Sequence, residues 1–280
     1  MTFVPSWTFT VPFGAALVAA AVAVVSQMKR GMPGGRTFGF LMAAVCEWML
    51  CLALQDAAVS GADRDIFRML SYVGVAAAPP LLVRFAHWYS PRAWKMRAWY
   101  VVLLWIVPVL TLGIAATNSF HHLLWGGPPV VLVTAAGEIV VPVPGPWRWV
   151  VVAYTSCAAI LAEVLVASSR SAGLTPSYAR QRVAILVALF LPVVGTAVAQ
   201  LPGVYHPAVD AMGLGFVAMG LVLLLGMRPL GIMDIVPVAR DAVIEEMCDG
   251  LIVLDRRGRI VDINPSAVAL LGLPASPIGV

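Results

Sequence analysis

Residues 98–125 read AWYVVLLWIVPVLTLGIAATNSFHHLLW. The first twenty contain no charged side chain, and as a helix they rise about 30 Å, the thickness of a bilayer's hydrocarbon core. A run so long and uniformly apolar lacks the period-two alternation of a membrane barrel strand. It is expected to be a membrane-spanning helix, ending at a polar break that holds His121 and His122 side by side. The fold depends on how often this pattern recurs. The chemistry of the histidine pair depends on which side of the membrane it meets.

The pattern recurs seven times, with spans expected near 11–28, 37–57, 66–89, 98–117, 149–168, 183–201 and 208–227. The whole chain agrees: its 280 residues are 61% hydrophobic and 11% charged, with a mean hydropathy of +0.91. A soluble domain carries roughly twice that charge. The expected fold class is an all-α membrane protein, a seven-transmembrane helix bundle, multi-pass in the cell membrane with the lipid bilayer as its solvent. The first ten residues carry no charge, so they lack the basic start of a cleaved signal peptide and the first span is expected to be retained.

Loop charges set the orientation. The first, third and fifth connections carry Lys29, Arg30 and Arg36, then Arg92, Lys95 and Arg97, then Arg170, Arg180 and Arg182. The second and fourth hold only Arg64 and, at the edge of a span, Arg148, while Arg228 follows the seventh span. Basic residues gather on the cytoplasmic side, so the N-terminus is expected outside and the C-terminus in the cytoplasm. The formal charge of +4 lies in these short clusters, not along a phosphate-tracking face, which argues against a nucleic-acid partner. The pair His121–His122 then faces outward. It opens the longest external loop, 118–148, whose middle has two β-branched runs suited to a hairpin. Pro142, Pro144 and Pro146 favour extended backbone, and Trp147 and Trp149 suit the headgroup interface. A structured lid is expected there.

Beyond Arg228 the composition changes, and three parts are expected: a sensor domain over 1–228, a linker over 229–248 with a short helix at 239–248, and a soluble segment over 249–280. In that segment two β-rich runs flank a charged turn containing Gly258, which reads as a hairpin. Asn264 follows as a helix N-cap with Pro265 at the first helical position. Forty residues do not make an independent α+β core, so this reads as the truncated start of a domain.

Four stretches carry a resemblance. TNSFHHLLW at 117–125, GPWRWVVVAY at 145–154 and YVGVAAAPPLLVRFAHWY at 72–89 together resemble the N-terminal seven-transmembrane sensor region of microbial histidine kinases. DGLIVLDRRGRIVDINPSA at 249–267 resembles the first hairpin and helix of a PAS domain. The resemblance implies the input half of a two-component signal-transduction protein. The chain departs from a complete kinase: its histidines are His87, His121, His122 and His206, none beyond the seventh span, and no Gly-rich nucleotide loop follows. As given it is expected to be no enzyme, with no catalytic residue. The output of the parent protein stays open, since such regions also precede diguanylate cyclases, and a homodimer is expected.

The candidate ligand-binding residues are those at the outer ends of the spans: Asp56, Tyr72, Tyr154, Gln200, His206 and Asp210, with His121, His122 and Trp125 in the loop. Convergent polar groups and aromatics at the mouth of a bundle suit a small ligand. Adjacent histidines on a helix point about 100° apart and do not chelate one metal; one is expected to enter the bundle and hydrogen-bond, the other to meet solvent or headgroups. Neither metal nor cofactor is expected. Cys46, Cys51, Cys157 and Cys248 lack ligand spacing and read as small buried hydrophobes.

Four intramembrane polar residues complete the set. Glu47, with Cys51 and Gln55 at i+4 and i+8, forms a weakly polar stripe that either lines a path for a ligand or proton or acts as interhelical glue. Arg84 and Glu163 either pair with one another, or Arg84 snorkels to the interface alone. Pro79, Pro80, Pro108 and Pro192 interrupt spans three, four and six. Ala15, Ala19 and Ala23, and Ala211 with Gly215, read as close helix contacts.

A receptor is the leading reading: an extracellular or membrane-borne stimulus shifts the bundle, and the seventh helix relays it. The alternative is a small-molecule transporter or channel with a regulatory C-terminal segment, though no internal repeat is evident. A retinal Schiff base needs a lysine inside the bundle, and the only lysines are Lys29 and Lys95 in the connections. A membrane-embedded enzyme lacks a dense His/Asp/Glu cluster.

Overall fold

The computed structural model describes residues 3, 7–28, 34–88, 98–127, 130–134, 137–141, 143–168, 176–200, 210–226, 247–254, 258 and 260–272. These fall into two compact units, Met1–Met233 and Asp234–Val280. The expected linker helix at 239–248 lies almost wholly outside the described residues, and so does His206.

The first unit is a bundle of long apolar helices. They are α1 (Trp7–Met28), α2 (Gly35–Ala57), α3 (Gly61–Trp88), α4 (Ala98–Ala116), the one-turn α5 (Asn118–His121), α6 (Trp147–Ala167), α7 (Pro176–Val198) and α8 (Ala211–Gly226). Among the described residues six are long and apolar enough to cross a membrane, and α8, with sixteen residues, is a shorter apolar helix. Seven hydrophobic runs thus become seven helices. Helix α3 begins five residues before its apolar run, and α6 two: Asp63 in the first turn of α3 complements the helix dipole, and Trp147 and Arg148 are compatible with a helix.

Helix α1 packs on α2 and α8, α2 on α3, α3 on α6, α6 on α7 and α7 on α8, closing a ring across which α2 also reaches α8. Helix α4 stands outside the ring, packed mainly against α3 and, more lightly, α6. Small residues allow close approach. Ala15, Ala19 and Ala23 of α1 are buried, as are Ala158, Ala159 and Ala162 of α6. Gly195 and Gly215 lie against the backbone of the facing helix, at Ala211 and at Leu191–Pro192. Larger side chains fill the centre: Phe38 packs against Phe85 with ring centroids 5.1 Å apart and the rings tilted by 33°, and Trp48 meets Phe216 edge-on at 6.2 Å. Without a hydrophobic force between helices in lipid, such packing and interhelical hydrogen bonds are what hold a bundle together.

At one end of the bundle the α5–α6 connection forms a hairpin, β1 (Val130–Thr134) antiparallel to β2 (Gly137–Val141), in the register Val130↔Val141 to Thr134↔Gly137. This end, where α2 and α4 finish and α3, α6 and α8 begin, is called the hairpin end below. The four cysteines are free. Contrary to expectation, Cys157 and Cys248 are exposed; Cys157 lies on the outer face of α6, where a thiol is apolar enough for lipid.

The second unit contains β3 (Ile252–Leu254) antiparallel to β4 (Ile260–Ile263), with an irregular register between Val253 and Leu254, and α9 (Pro265–Leu271). Asn264 is buried and caps α9: its Oδ1 accepts from the amides of Ala267, at 2.9 Å, and Leu251, at 2.8 Å, while its Nδ2 donates to the Asp249 carbonyl. One side chain thereby joins the hairpin to the helix.

Candidate functional site

The loop motif TNSFHHLLW is organised by Asn118, not by its histidines. The Asn118 Oδ1 accepts from the amides of Leu124 (2.8 Å) and Trp125 (3.1 Å), and its Nδ2 donates to the Trp125 carbonyl (3.1 Å). This folds residues 118–125 into a closed turn that buries Leu124 to 1% exposure. The far end of the loop is fastened to it: the Gly126 amide donates to Val143, Gly145 to Leu124 and Trp147 to Leu123. Gly145 has no alternative here, since a Cβ would overlap the Leu123 carbonyl. The Trp147 indole donates to Thr111 Oγ1 of α4 at 3.0 Å, so the loop is anchored at both ends to the bundle.

His121 is used up locally. The Leu123 amide donates to its Nδ1 at 3.1 Å, so its proton lies on Nε2, which faces Thr117 Oγ1 at 3.0 Å. Thr117 in turn donates to the Gly113 carbonyl. His122 is exposed and left-handed (φ 53°), ending α5. One histidine thus hydrogen-bonds while the other is exposed, and the buried residue that organises the turn is Asn118, whose amide supplies both donors and acceptors. Among the described residues no three His, Cys, Asp or Glu lie close enough together for a metal.

Three polar groupings lie below this loop. In the first, Trp125 packs edge-on against Tyr72 of α3 with centroids 5.4 Å apart, and the guanidinium of Arg68, one turn nearer the hairpin end, lies 6.0 Å from the Trp125 ring centroid. Arg68 Nη1 also pairs with Asp65 at 2.9 Å. In the second, Asp210 caps α8, accepting from the Gly213 amide at 3.0 Å, with hydrogen bonds from the Met212 amide and the Trp48 side chain and the positive charge of Arg148 nearby. Residues of α2, α6 and α8 thus meet at one carboxylate. In the third, Glu47 accepts from the Gly74 amide at 2.8 Å and from Cys51 Sγ at 3.2 Å. Gly74 lets α3 close on α2 at this point; a Cβ would overlap the Ala44 carbonyl, Glu47 and Trp48. Glu47 therefore holds two helices together in the geometry of interhelical glue.

The remaining candidates are dispersed. Asp56 sits at the end of α2, close to the charge of Arg64, which donates to the Ala58 carbonyl. Gln55 Oε1 is buried with no hydrogen-bond partner, as are Arg68 Nε, Thr155 Oγ1 and Glu163 Oε1. Tyr154 has a structural employment: Pro108 has no amide proton to give the Leu104 carbonyl, and the Tyr154 hydroxyl donates to that carbonyl at 2.5 Å. The ion pair considered between Arg84 and Glu163 is not formed among the described residues. Arg84 follows Val73 by eleven residues, three helical turns, and shares its exposed outward face.

Sequence reasoning missed Arg68, Asn118 and Trp48, and read Arg148 only as a loop charge. Arg68 was absorbed into an apolar span, although its i, i+3 spacing from Asp65 marks a charged turn. The arrangement offers a guanidinium, an aromatic wall and amide and carboxylate acceptors, groups that suit binding of a small polar ligand. No curated protein matches the chain. Residues 11–237 match the family described as the N-terminal 7TM region of histidine kinase, so this chain, with its bundle of seven apolar helices and its fastened loop, belongs to that family of membrane sensory input regions.

Proposed function

We propose that the seven helices cross a cell membrane with the hairpin end outside, and that a small molecule or membrane-borne stimulus acts there by changing how α8 is seated. The observation that carries this is the Asp210 cap. The first turn of α8 is tied to Trp48 of α2 and lies near Arg148 of α6, so a ligand that moves either group changes the anchorage of the last helix. Since α8 is followed by the linker and the β3–β4–α9 segment, its displacement is the natural output. We read that segment as the start of a cytoplasmic PAS domain. The sensor region is not itself catalytic, and the output chemistry of a full-length member, as kinase or cyclase, belongs to other domains. A homodimer in the bilayer is the assembly we expect, with no role for nucleic acid.

The test is a thermal-shift screen of the detergent-purified chain against a diverse library of small molecules, repeated on Asp210→Asn and Tyr72→Phe. Compounds that stabilise the wild type and lose their effect in both variants support a site at the hairpin end. Compounds that stabilise all three forms equally move the site elsewhere.

A further inference from the structure

Arg84 is a charge without a counter-ion in the bundle. It is exposed, and among the described residues its side chain has no hydrogen-bond or ionic partner. Residues 1–228 contain seven carboxylates. Asp56, Asp63, Asp65 and Asp210 lie at the hairpin end and Glu138 on β2. Glu47 is bonded to Gly74 and Cys51, and Glu163 makes no ion pair with Arg84 among the described residues. The connections at the opposite end, 29–34, 89–97 and 168–175, bring Lys29, Arg30, Arg92, Lys95, Arg97 and Arg170 and no carboxylate. The position of Arg84 along α3 matters as much as its isolation. Arg68, held in the charged turn at the hairpin end by Asp65 and Trp125, is separated from it by a helical rise of about 24 Å. A hydrocarbon core is about 30 Å thick, so the Arg84 backbone falls about 6 Å inside the opposite edge, a distance its side chain spans to reach the phosphates. Trp88, one turn further on the same face, arrives at that edge, where indoles prefer to lie. Its side chain is steadied by Gly34, the left-handed cap of α2: a Cβ there would lie 3.1–3.3 Å from Trp88 Cβ, Cγ and Cδ1. Trp88 is nevertheless 55% exposed, and the exposed Arg36 follows Gly34 by two residues.

We propose that Arg84 and Trp88 bind an anionic phospholipid of the leaflet opposite the hairpin. The phosphodiester accepts two parallel hydrogen bonds from the Arg84 guanidinium, the Trp88 indole lies beside the glycerol backbone, and an acyl chain follows the exposed face of α3 past Val73. Charge complementarity selects the lipid class. A zwitterionic lipid brings an ammonium group with its phosphate to a level that already carries Arg84 and Arg36, whereas phosphatidylglycerol brings the phosphate alone. This site is separate from the stimulus site at the hairpin end and does not rest on it.

The test uses Trp88 as the reporter. The purified chain is placed in vesicles of equal parts phosphatidylglycerol and phosphatidylcholine, with bromine on the acyl chains of one lipid or the other. Subtracting the fluorescence of a Trp88→Phe variant isolates Trp88 from the other tryptophans. Brominated phosphatidylglycerol is expected to quench that signal more strongly than brominated phosphatidylcholine, as a preference of about fivefold, the worth of one basic residue near an anionic surface. Arg84→Gln is expected to remove most of the preference. Arg84→Lys, which keeps the charge but not the planar fork, is expected to leave an intermediate value. Arg64→Gln, at the hairpin end, is expected to leave it unchanged. Circular dichroism and size-exclusion profiles establish that each variant is folded, and Arg84→Lys carries the comparison should Arg84→Gln fail to fold. Equal quenching of the wild type by the two lipids overturns the proposal. So does a preference that survives the Arg84 substitutions, which would belong to the basic connections at large.

Discussion

Tyr154→Phe is the change whose cost the structure defines most closely. Pro108 leaves the Leu104 carbonyl without its helical donor, and the Tyr154 hydroxyl supplies one at 2.5 Å. Removing the hydroxyl strands the carbonyl in apolar surroundings, a penalty of about 1–3 kcal/mol. Hydrogen bonds between membrane helices average about 0.6 kcal/mol because most broken groups find another partner. Here the nearest alternative, the amide of residue 108, does not exist, so a loss of about 1.5 kcal/mol is expected. In a Pro108→Ala background that amide is restored, the carbonyl is paired along the helix, and Tyr154→Phe should cost only about 0.5 kcal/mol. The difference, a coupling of about 1 kcal/mol, is measured by a double-mutant cycle. Unfolding of the four proteins in mixed micelles with increasing sodium dodecyl sulfate, followed by tryptophan fluorescence, gives the four free energies. A coupling below about 0.5 kcal/mol, within ordinary additivity, refutes the idea that Tyr154 is there to satisfy the proline's orphan.

Asn118→Ala removes the partner of two amides and a carbonyl and should cost about 2–3 kcal/mol; limited proteolysis should then cut within 118–146, and an unchanged digestion pattern would count against the loop's dependence on this residue. Gly74→Ala forces α2 and α3 apart and should destabilise by about 1–3 kcal/mol, visible as a lower melting temperature in detergent; an unchanged one would mean the helices do not touch there. His121→Ala should cost about 1 kcal/mol for its two local hydrogen bonds. His122→Gly should be neutral or slightly stabilising because it relieves a left-handed backbone, so equal losses from the two histidines would contradict their separate roles.

The bundle was legible because lipid imposes a blunt rule: a segment of about twenty apolar residues has one stable form. The hairpin followed from β-branched runs, and the cap at Asn264 from the pairing of Asn with a following Pro. The site was less legible. Tyr72 and Trp125 were picked out as aromatics at a mouth and do meet, but the same reasoning picked Tyr154, whose hydroxyl serves a proline one helix away. Nothing in linear spacing connects residue 154 with residue 108. The histidine pair drew attention by its rarity, whereas the working residue, Asn118, is an ordinary turn former whose three bonds appear only once the loop closes. Arg84 and Glu163 lie at comparable depth, but depth without azimuth does not make a pair.

The place of α4 outside the ring has a consequence for how the protein is made. Helix α3 is completed at Trp88 and its ring neighbour α6 begins at Trp147, so about sixty residues, or roughly 3–12 s of translation, separate them. During that interval α3 has only α2 and α4 beside it, and its seam for α6 faces lipid. When α6 is inserted it meets α4 through Trp147 and Tyr154 and packs on α3, and the ring then closes through α7 and α8. Biogenesis is thus staged: α1 to α4 are made first, and the arrival of α6 and α8 brings Arg148 near Asp210 and joins Asp210 to Trp48.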